Sequence, residues 1–186
     1  MVFKKPVIIS VVIALVSILA LWFVSRSIGL VLVFVPGIII SFIFCQLSFD
    51  KRVPDPKSVL PLYLFALGVQ FLHFTEEYLT GFVIELPALF NQPPYPTDIW
   101  LVFNMVAYFI FILGGITLFW RSGSFLIIPV FFILFGIMFN GLAHLGTSLY
   151  VGGYFPGLYT AMIYLVLGPL LIGRLLNSRK HVPGKG

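Results

Sequence analysis

The sequence PLYLFALGVQFLHFTEEYLT, residues 61–80, has the length of a membrane-spanning helix and carries a polar end. A bilayer core of about 30 Å needs roughly 20 helical residues. The run is continuously apolar in its first half, without the alternation expected of a half-buried strand. Its second half contains His73, Glu76 and Glu77, which are costly in lipid unless they face a bundle interior or a cavity. The stretch therefore predicts a transmembrane helix with a polar site near one end.

The rest of the chain has the same apolar character. Of the 186 residues, 60% are apolar and 9% are charged, whereas soluble domains contain about 45–50% and about 25%. Only helices and closed barrels satisfy the backbone in lipid, and the continuous runs indicate helices. We expect an all-α, polytopic transmembrane helical bundle with six spans, at residues 7–24, 28–48, 59–80, 99–120, 125–145 and 158–175.

The basic residues set the expected orientation. All of the eleven Lys and Arg residues except Arg26 lie on one side of this six-span arrangement. The positive-inside rule makes that side cytoplasmic, with both termini in the cytoplasm. The net charge of +5 is thus explained by topology. The expected partner is the lipid bilayer, together with a lipid-like small molecule, and no nucleic acid; the sequence does not determine the oligomeric state.

We divide the chain into three parts on this basis. Residues 1–57 form an N-terminal two-helix membrane extension, residues 58–176 form a four-helix membrane core, and residues 177–186 form a basic cytoplasmic tail. The single cysteine, Cys45, excludes an internal disulfide and a cysteine-based metal motif.

Polar residues of several spans fall at one depth. His73 lies three residues before Glu76 and four before Glu77, so the three share a helix face, as do Asn140 and His144. The third and fifth spans run in the same direction, so both groups reach the outer side of the bundle. We expect one outer-side site there, roofed by residues 81–98 and 146–157. The supporting polar residues are Gln70, Asn104 and Asn140, and Tyr154 is a candidate phenol donor.

Three motifs resemble those of the HXXEE family of integral membrane proteins. They are HFTEE with His73, Glu76 and Glu77, the second histidine His144 in GLAHLG, and the YFPG sequence that begins at Tyr154. They occur in the order typical of the family, and the resemblance covers roughly residues 60 to 175. It implies an integral membrane protein and no established reaction.

Four functions are compatible with these residues. A divalent metal such as Zn, Fe or Mn could bind His73, His144 and one of Glu76 and Glu77, with the other glutamate left as general base. Without metal, a carboxyl beside an imidazole makes an acid–base pair. A transport or ligand-binding role would use the cluster for a proton, ion or ligand. A purely structural role would use it to lock helices.

The sequence favours the enzymatic interpretations. The metalloprotease patterns H-E-x-x-H and H-x-x-E-H are absent, which argues against a peptidase of those types. A second carboxylate adjacent to the first adds cost to a structural role. We expect a membrane-embedded enzyme, with or without a divalent metal, that acts on a lipid-like or apolar substrate. The catalytic candidates are His73, Glu76, Glu77, His144 and Tyr154; the alternative is a small transport or ligand-binding membrane protein.

Overall fold

The computed structural model of the protein describes residues 5–25, 28–49 and 52–181, and these residues are mainly helical. The helices are α1 (Lys5–Ser25), α2 (Ile28–Phe49), α3 (Pro56–Leu79), the short α4 (Phe82–Ala88), α5 (Thr97–Phe119), α6 (Ile127–Phe131), α7 (Asn140–Val151) and α8 (Leu158–Asn177). A π-helical segment, Phe132–Phe139, joins α6 to α7, and we call the stretch Gly123–Val151 the rod. The expected all-α class is confirmed for the part of the chain that the structure describes.

Among the described residues, four helices suit a membrane. They are α3, α5, the rod and α8, each of which is long and apolar enough to cross a bilayer. In α1 and α2 the apolar segments found within the described residues are Val7–Ala20 and Val33–Phe49. The helical membrane protein that the sequence predicts is therefore supported at this level, while the number six and the cytoplasmic position of the termini stay predictions.

One small β-ladder departs from the helical pattern. Strand β1 (Arg52–Pro54) pairs antiparallel with β2 (Arg179–His181). The ladder holds the segment before α3 against the segment after α8, although the sequence indicates only a basic tail after residue 176. Ser10, near the start of α1, donates to the carbonyl of Ser124 in the turn before α6 at 3.2 Å. We call this end of the bundle the ladder end and the opposite end, where α3 finishes, the motif end.

Close helix contacts fix the positions of the elements that carry the motif. A Cβ on Gly141 of α7 would lie 2.9 Å from Cβ of Tyr164 on α8, and one on Gly168 of α8 would lie 2.8 Å from Sδ of Met138. Small residues of this kind let membrane helices approach closely. Since α8 also packs along α3, side chains from α3, α7 and α8 meet at the motif end.

The π-helical segment lies directly before the polar part of the rod. Phe131, Phe135 and Phe139 stack in succession on one side of it, with ring centroids 5.2 Å and 4.9 Å apart. A π-helical segment widens the helix and shifts the register of the residues after it, and such segments are frequent at functional sites. Here those residues are Asn140 and, one turn later, His144.

Candidate functional site

His73, Glu77 and His144 meet at the motif end. The Oε1 atom of Glu77 lies 3.4 Å from Nε2 of His73 and 3.2 Å from Nε2 of His144. All three residues are buried, with 0%, 7% and 3% of their surface exposed for His73, Glu77 and His144 respectively. Among the described residues they form a group whose possible metal-ligating atoms all lie within 4.8 Å of one another. The convergence expected from helix spacing is thus present in the structure.

A glycine at the start of α8 makes room for the two imidazoles. The His73 and His144 rings stand almost perpendicular, with centroids 4.7 Å apart. Gly157 caps α8 with a φ of +88°, and a Cβ there would lie 2.6 Å from Cε1 of His144 and 2.9 Å from Cε1 of His73. Only glycine suits this position, because any side chain would meet both rings and a left-handed backbone at once.

Glu76 points to a different set of partners. Its carboxylate accepts hydrogen bonds from the hydroxyl of Tyr154 at 2.8 Å, the backbone N–H of Tyr159 at 3.0 Å, and both the backbone N–H and the hydroxyl of Thr160 at 2.9 Å and 2.5 Å. Tyr159 and Thr160 belong to the first turn of α8, where unpaired N–H groups favour an anion. Glu76 is therefore a helix cap for α8, supplied from α3, and it lies outside the group of three candidate ligands.

Thr160 connects Glu76 to His73. The Thr160 hydroxyl has one proton, and that proton points to Glu76 at 2.5 Å. His73 Nδ1, 2.8 Å from the same hydroxyl oxygen, must then be the donor in that contact. This leaves a lone pair on Nε2 of His73, toward which the Asn140 amide donates at 3.0 Å.

The assignment of this tautomer places two acceptors face to face. Nε2 of His73 and Oε1 of Glu77 approach to 3.4 Å, and in this tautomer the ring proton is on Nδ1, away from Glu77. A cation at this point would take the place of the Asn140 N–H as the partner of Nε2 and would pair with Oε1 as well. Two imidazole nitrogens with one carboxylate make a ligand set that suits Zn, Fe or Mn. The Glu76–Thr160–His73 chain is also the kind of outer contact that orients a metal-binding histidine.

The supporting polar residues take unequal parts. The Gln70 side chain accepts from the hydroxyl of Tyr164 at 2.8 Å, and its backbone carbonyl accepts from the hydroxyl of Tyr108 at 3.0 Å. Asn140 contacts His73 directly. Asn104 donates to the carbonyl of Trp100 on its own helix, so it reaches the site region only as part of a cavity wall.

A cavity of about 410 Å³ is lined by Glu77 and His144 among other residues. Most of its lining comes from α5 and the rod, with further residues from α2, α3 and α4, and most of its walls are aromatic or aliphatic. Its volume falls in the range of small-molecule sites, about 300–1,000 Å³. The polar residues that reach it besides Glu77 and His144 include Gln70, Asn104 and Asn140.

Two aromatic rings close the site at the motif end. Phe82, at the start of α4, lies 5.5 Å from the His144 ring, and Phe155 lies 6.2 Å from it. Phe82 and Phe155 also contact each other, at 6.0 Å. Tyr154 is 40% exposed, and its hydroxyl contacts Glu76 rather than the three ligands. Burial and the neighbouring Glu76 carboxylate raise the pKa of Tyr154, so this hydroxyl stays protonated at neutral pH and can donate.

Residues 64–172 match the model of a family described as "Protein of unknown function with HXXEE motif". The chain belongs to the HXXEE family. The match contains every polar residue of the site and includes α5, the rod and most of α3 and α8. Neither a search of curated proteins nor a search of solved structures finds a match. The match confirms the family resemblance found in the sequence, and the description of the family names no reaction.

The sequence analysis did not single out Thr160, Tyr164 or the two aromatic rings that close the site, Phe82 and Phe155. Thr160 was identifiable in principle, since it is the only Ser or Thr within the predicted last span, 158–175. Tyr164 comes one further turn along the same face. Phe82 and Phe155 carry no distinguishing signal, because the chain has 21 phenylalanines.

Proposed function

We propose that the protein is a membrane-embedded, metal-dependent enzyme that acts on a lipid-like substrate held in the cavity between α5 and the rod. The observation that supports it most is the meeting of His73, Glu77 and His144 at the end of an otherwise apolar cavity. Burying ionisable residues in a membrane costs free energy, and such residues are commonly functional. An apolar cavity beside them is the usual setting of a small-molecule binding site.

His73 and His144 would hold a divalent metal through Nε2, and Glu77 through its carboxylate. Bound there, the metal would supply a Lewis acid for an oxygen of the substrate or lower the pKa of a bound water. Glu76 and Thr160 hold the His73 ring in the tautomer that presents a lone pair. Phe82 and Phe155 cover His144 and limit the access of water from the motif end.

The same proposal includes a topology. Six spans with both termini in the cytoplasm would put the ladder end inside and the motif end outside. The grouping of the start of α3, the end of α8 and the turn before α6 at one end of the bundle supports this alternation. The site would then lie in the outer half of the membrane, within reach of outer-leaflet lipids.

A ligand-binding role is the second candidate, and the cavity itself favours it, since an apolar wall can hold a molecule without any reaction. Transport across the membrane has less support. Toward the ladder end the bundle is filled by buried side chains, among them Tyr63, Phe132, Ile133 and Leu171. A polar path through that half is not found among the described residues.

Metal content of the purified protein tests the proposal. We expect one Zn²⁺, Fe²⁺ or Mn²⁺ per chain by elemental analysis, and we expect the His144→Ala variant to lose it. The His181→Ala variant is the matched control, because His181 is the third histidine of the chain and lies in β2 at the ladder end. Equal metal content in wild type and His144→Ala would overturn the metal site, and so would a folded wild type that takes up no metal when titrated with each ion.

A further inference from the structure

The shape of the cavity indicates what enters it. Along α5 the lining extends from Trp100 to Phe111, a distance of about 16 Å at 1.5 Å per residue. Along the rod it extends from Thr147 back to Phe131. The cavity therefore runs parallel to the spans, in the direction in which a hydrocarbon chain lies in a bilayer.

The two ends of the cavity differ in polarity. Toward the motif end the lining contains the polar residues Glu77, His144, Asn104 and Asn140, together with apolar residues of the α4 region such as Val83, Leu86 and Phe90. The far end is formed by aromatic side chains, among them Phe111, Phe131 and Phe135. An occupant that matches both ends has a polar group attached to one extended apolar chain.

Two residues of the lining are also exposed on the outside of the bundle. Val33 on α2 and Phe139 on the rod both line the cavity, and each is 48% exposed. Both lie among side chains whose outward surfaces are apolar, such as Ile39 and Leu142. The cavity therefore reaches the apolar outer surface of the bundle beside these two residues.

We infer that the occupant is a bilayer amphiphile with one extended hydrocarbon chain, which enters sideways between Val33 and Phe139. Its polar end comes to rest at Glu77 and His144. A lipid of the leaflet nearest the motif end already has this orientation, with its head at the level of the motif and its chain toward the mid-plane. No reorientation of the lipid is needed for access. The role of the polar end in this inference rests on the proposed function. The binding of the hydrocarbon chain does not depend on it.

Trp100 provides a reporter for the test. It lines the cavity and is 6% exposed, whereas Trp22 and Trp120 are 48% and 72% exposed. Replacing Trp22 and Trp120 by Phe leaves Trp100 alone. This protein in lipid nanodiscs is titrated with a dibrominated stearyl alcohol, since bromine quenches tryptophan on contact. We expect saturable quenching of Trp100. In a control protein that keeps Trp22 as its single tryptophan, we expect quenching that rises only in proportion to the amount of the alcohol in the membrane.

Three variants and a second probe sharpen the result. Ala107→Phe puts a ring into the middle of the cavity, and Val33→Phe narrows its sideways opening; we expect each to reduce or remove the saturable phase. Val102→Phe adds the same ring on the lipid side of α5, where Val102 is 55% exposed, and we expect it to leave quenching unchanged. A dibrominated octadecane, which lacks the hydroxyl, is expected to bind more weakly than the alcohol.

Each outcome bears on one part of the inference. Non-saturable quenching of Trp100 would overturn binding of the chain, and equal affinity for the alcohol and the hydrocarbon would overturn the amphiphile. Unchanged saturation in both Ala107→Phe and Val33→Phe would overturn the position and the sideways access. Metal content is measured in the same samples, so loss of the metal site with intact quenching counts against the proposed function alone.

Discussion

The two adjacent glutamates at the end of α3 contact different parts of the molecule. Glu77 is 7% exposed and faces His73, His144 and the cavity. Glu76 faces the start of α8 and accepts four hydrogen bonds there. One carboxylate faces the cavity and two imidazoles, whereas the other is saturated by donors. The pair therefore combines a candidate metal ligand with a residue that supports the position of His73.

The largest expected difference is between Glu77→Gln and Glu76→Gln. Glu77→Gln removes a charged ligand from a set of three, and we expect the protein to retain no metal by elemental analysis. Glu76→Gln keeps the ligand set and weakens only the orientation of His73, for which losses of about 10- to 100-fold in metal affinity are typical. Isothermal titration with Zn²⁺ measures both variants. Equal losses would contradict the division of roles.

Gly157→Ala should come next. The new Cβ meets both imidazoles and an unfavourable left-handed backbone, which alone costs about 1–2 kcal/mol. Gly152→Ala is the matched control, because Gly152 also has a positive φ of +73° but a Cβ added there would have no atom within 4 Å. We expect both variants to lower the thermal unfolding temperature and only Gly157→Ala to lose the metal. Retention of metal in Gly157→Ala would mean that the rings can move apart freely.

Thr160→Val tests the link between the two sides. Valine removes the hydroxyl that joins Glu76 to His73 while keeping the side-chain shape, and Thr160→Ser restores the hydroxyl. We expect ¹⁵N NMR of the metal-free protein to show His73 with its proton on Nδ1 in wild type and in Thr160→Ser. A mixture of tautomers should appear in Thr160→Val. An unchanged spectrum in Thr160→Val would show that the tautomer is set elsewhere.

The smallest effect is expected for Tyr154→Phe. It removes one of the four donors to Glu76 at a position that is 40% exposed, so we expect a loss of about 0.5–1.5 kcal/mol in stability. Metal affinity should stay within a fewfold of wild type, measured by the same titration. A complete loss of metal would show that Tyr154 is required for the metal site, which would contradict its assignment as a contact of Glu76 alone.

Helix spacing was sufficient to predict that the two histidines and a glutamate meet. It was insufficient to predict that Glu76 and Glu77 have different contacts. His73 and Glu77 are four residues apart and His144 lies at the same end of a parallel helix, so periodicity and span direction predict their meeting. Glu76 and Glu77 are both neighbours of His73 by that rule. Only the position of Thr160 on α8 distinguishes them, and that is a property of tertiary packing.

The π-helical segment and the β-ladder also could not be predicted from the sequence. Nothing in the apolar run Phe132–Phe139 marks a change of helix type, because the change depends on how the rod packs on α8 and α5. The ladder joins Arg52–Pro54 to Arg179–His181, a pairing between two three-residue stretches far apart in the chain. Long-range pairings of such short segments have no local signal.

The ladder has a consequence for how the molecule can be cut. Val53 is 3% exposed, and β1 pairs with β2, so the strand pair joins the N-terminal extension to the segment that follows the four-helix core. A truncated protein that starts at Pro56 would free the edge of β2 and uncover part of the interior beneath Val53. A minimal fragment for expression should therefore begin before Arg52, which makes the extension less separable than its absence from the family match suggests.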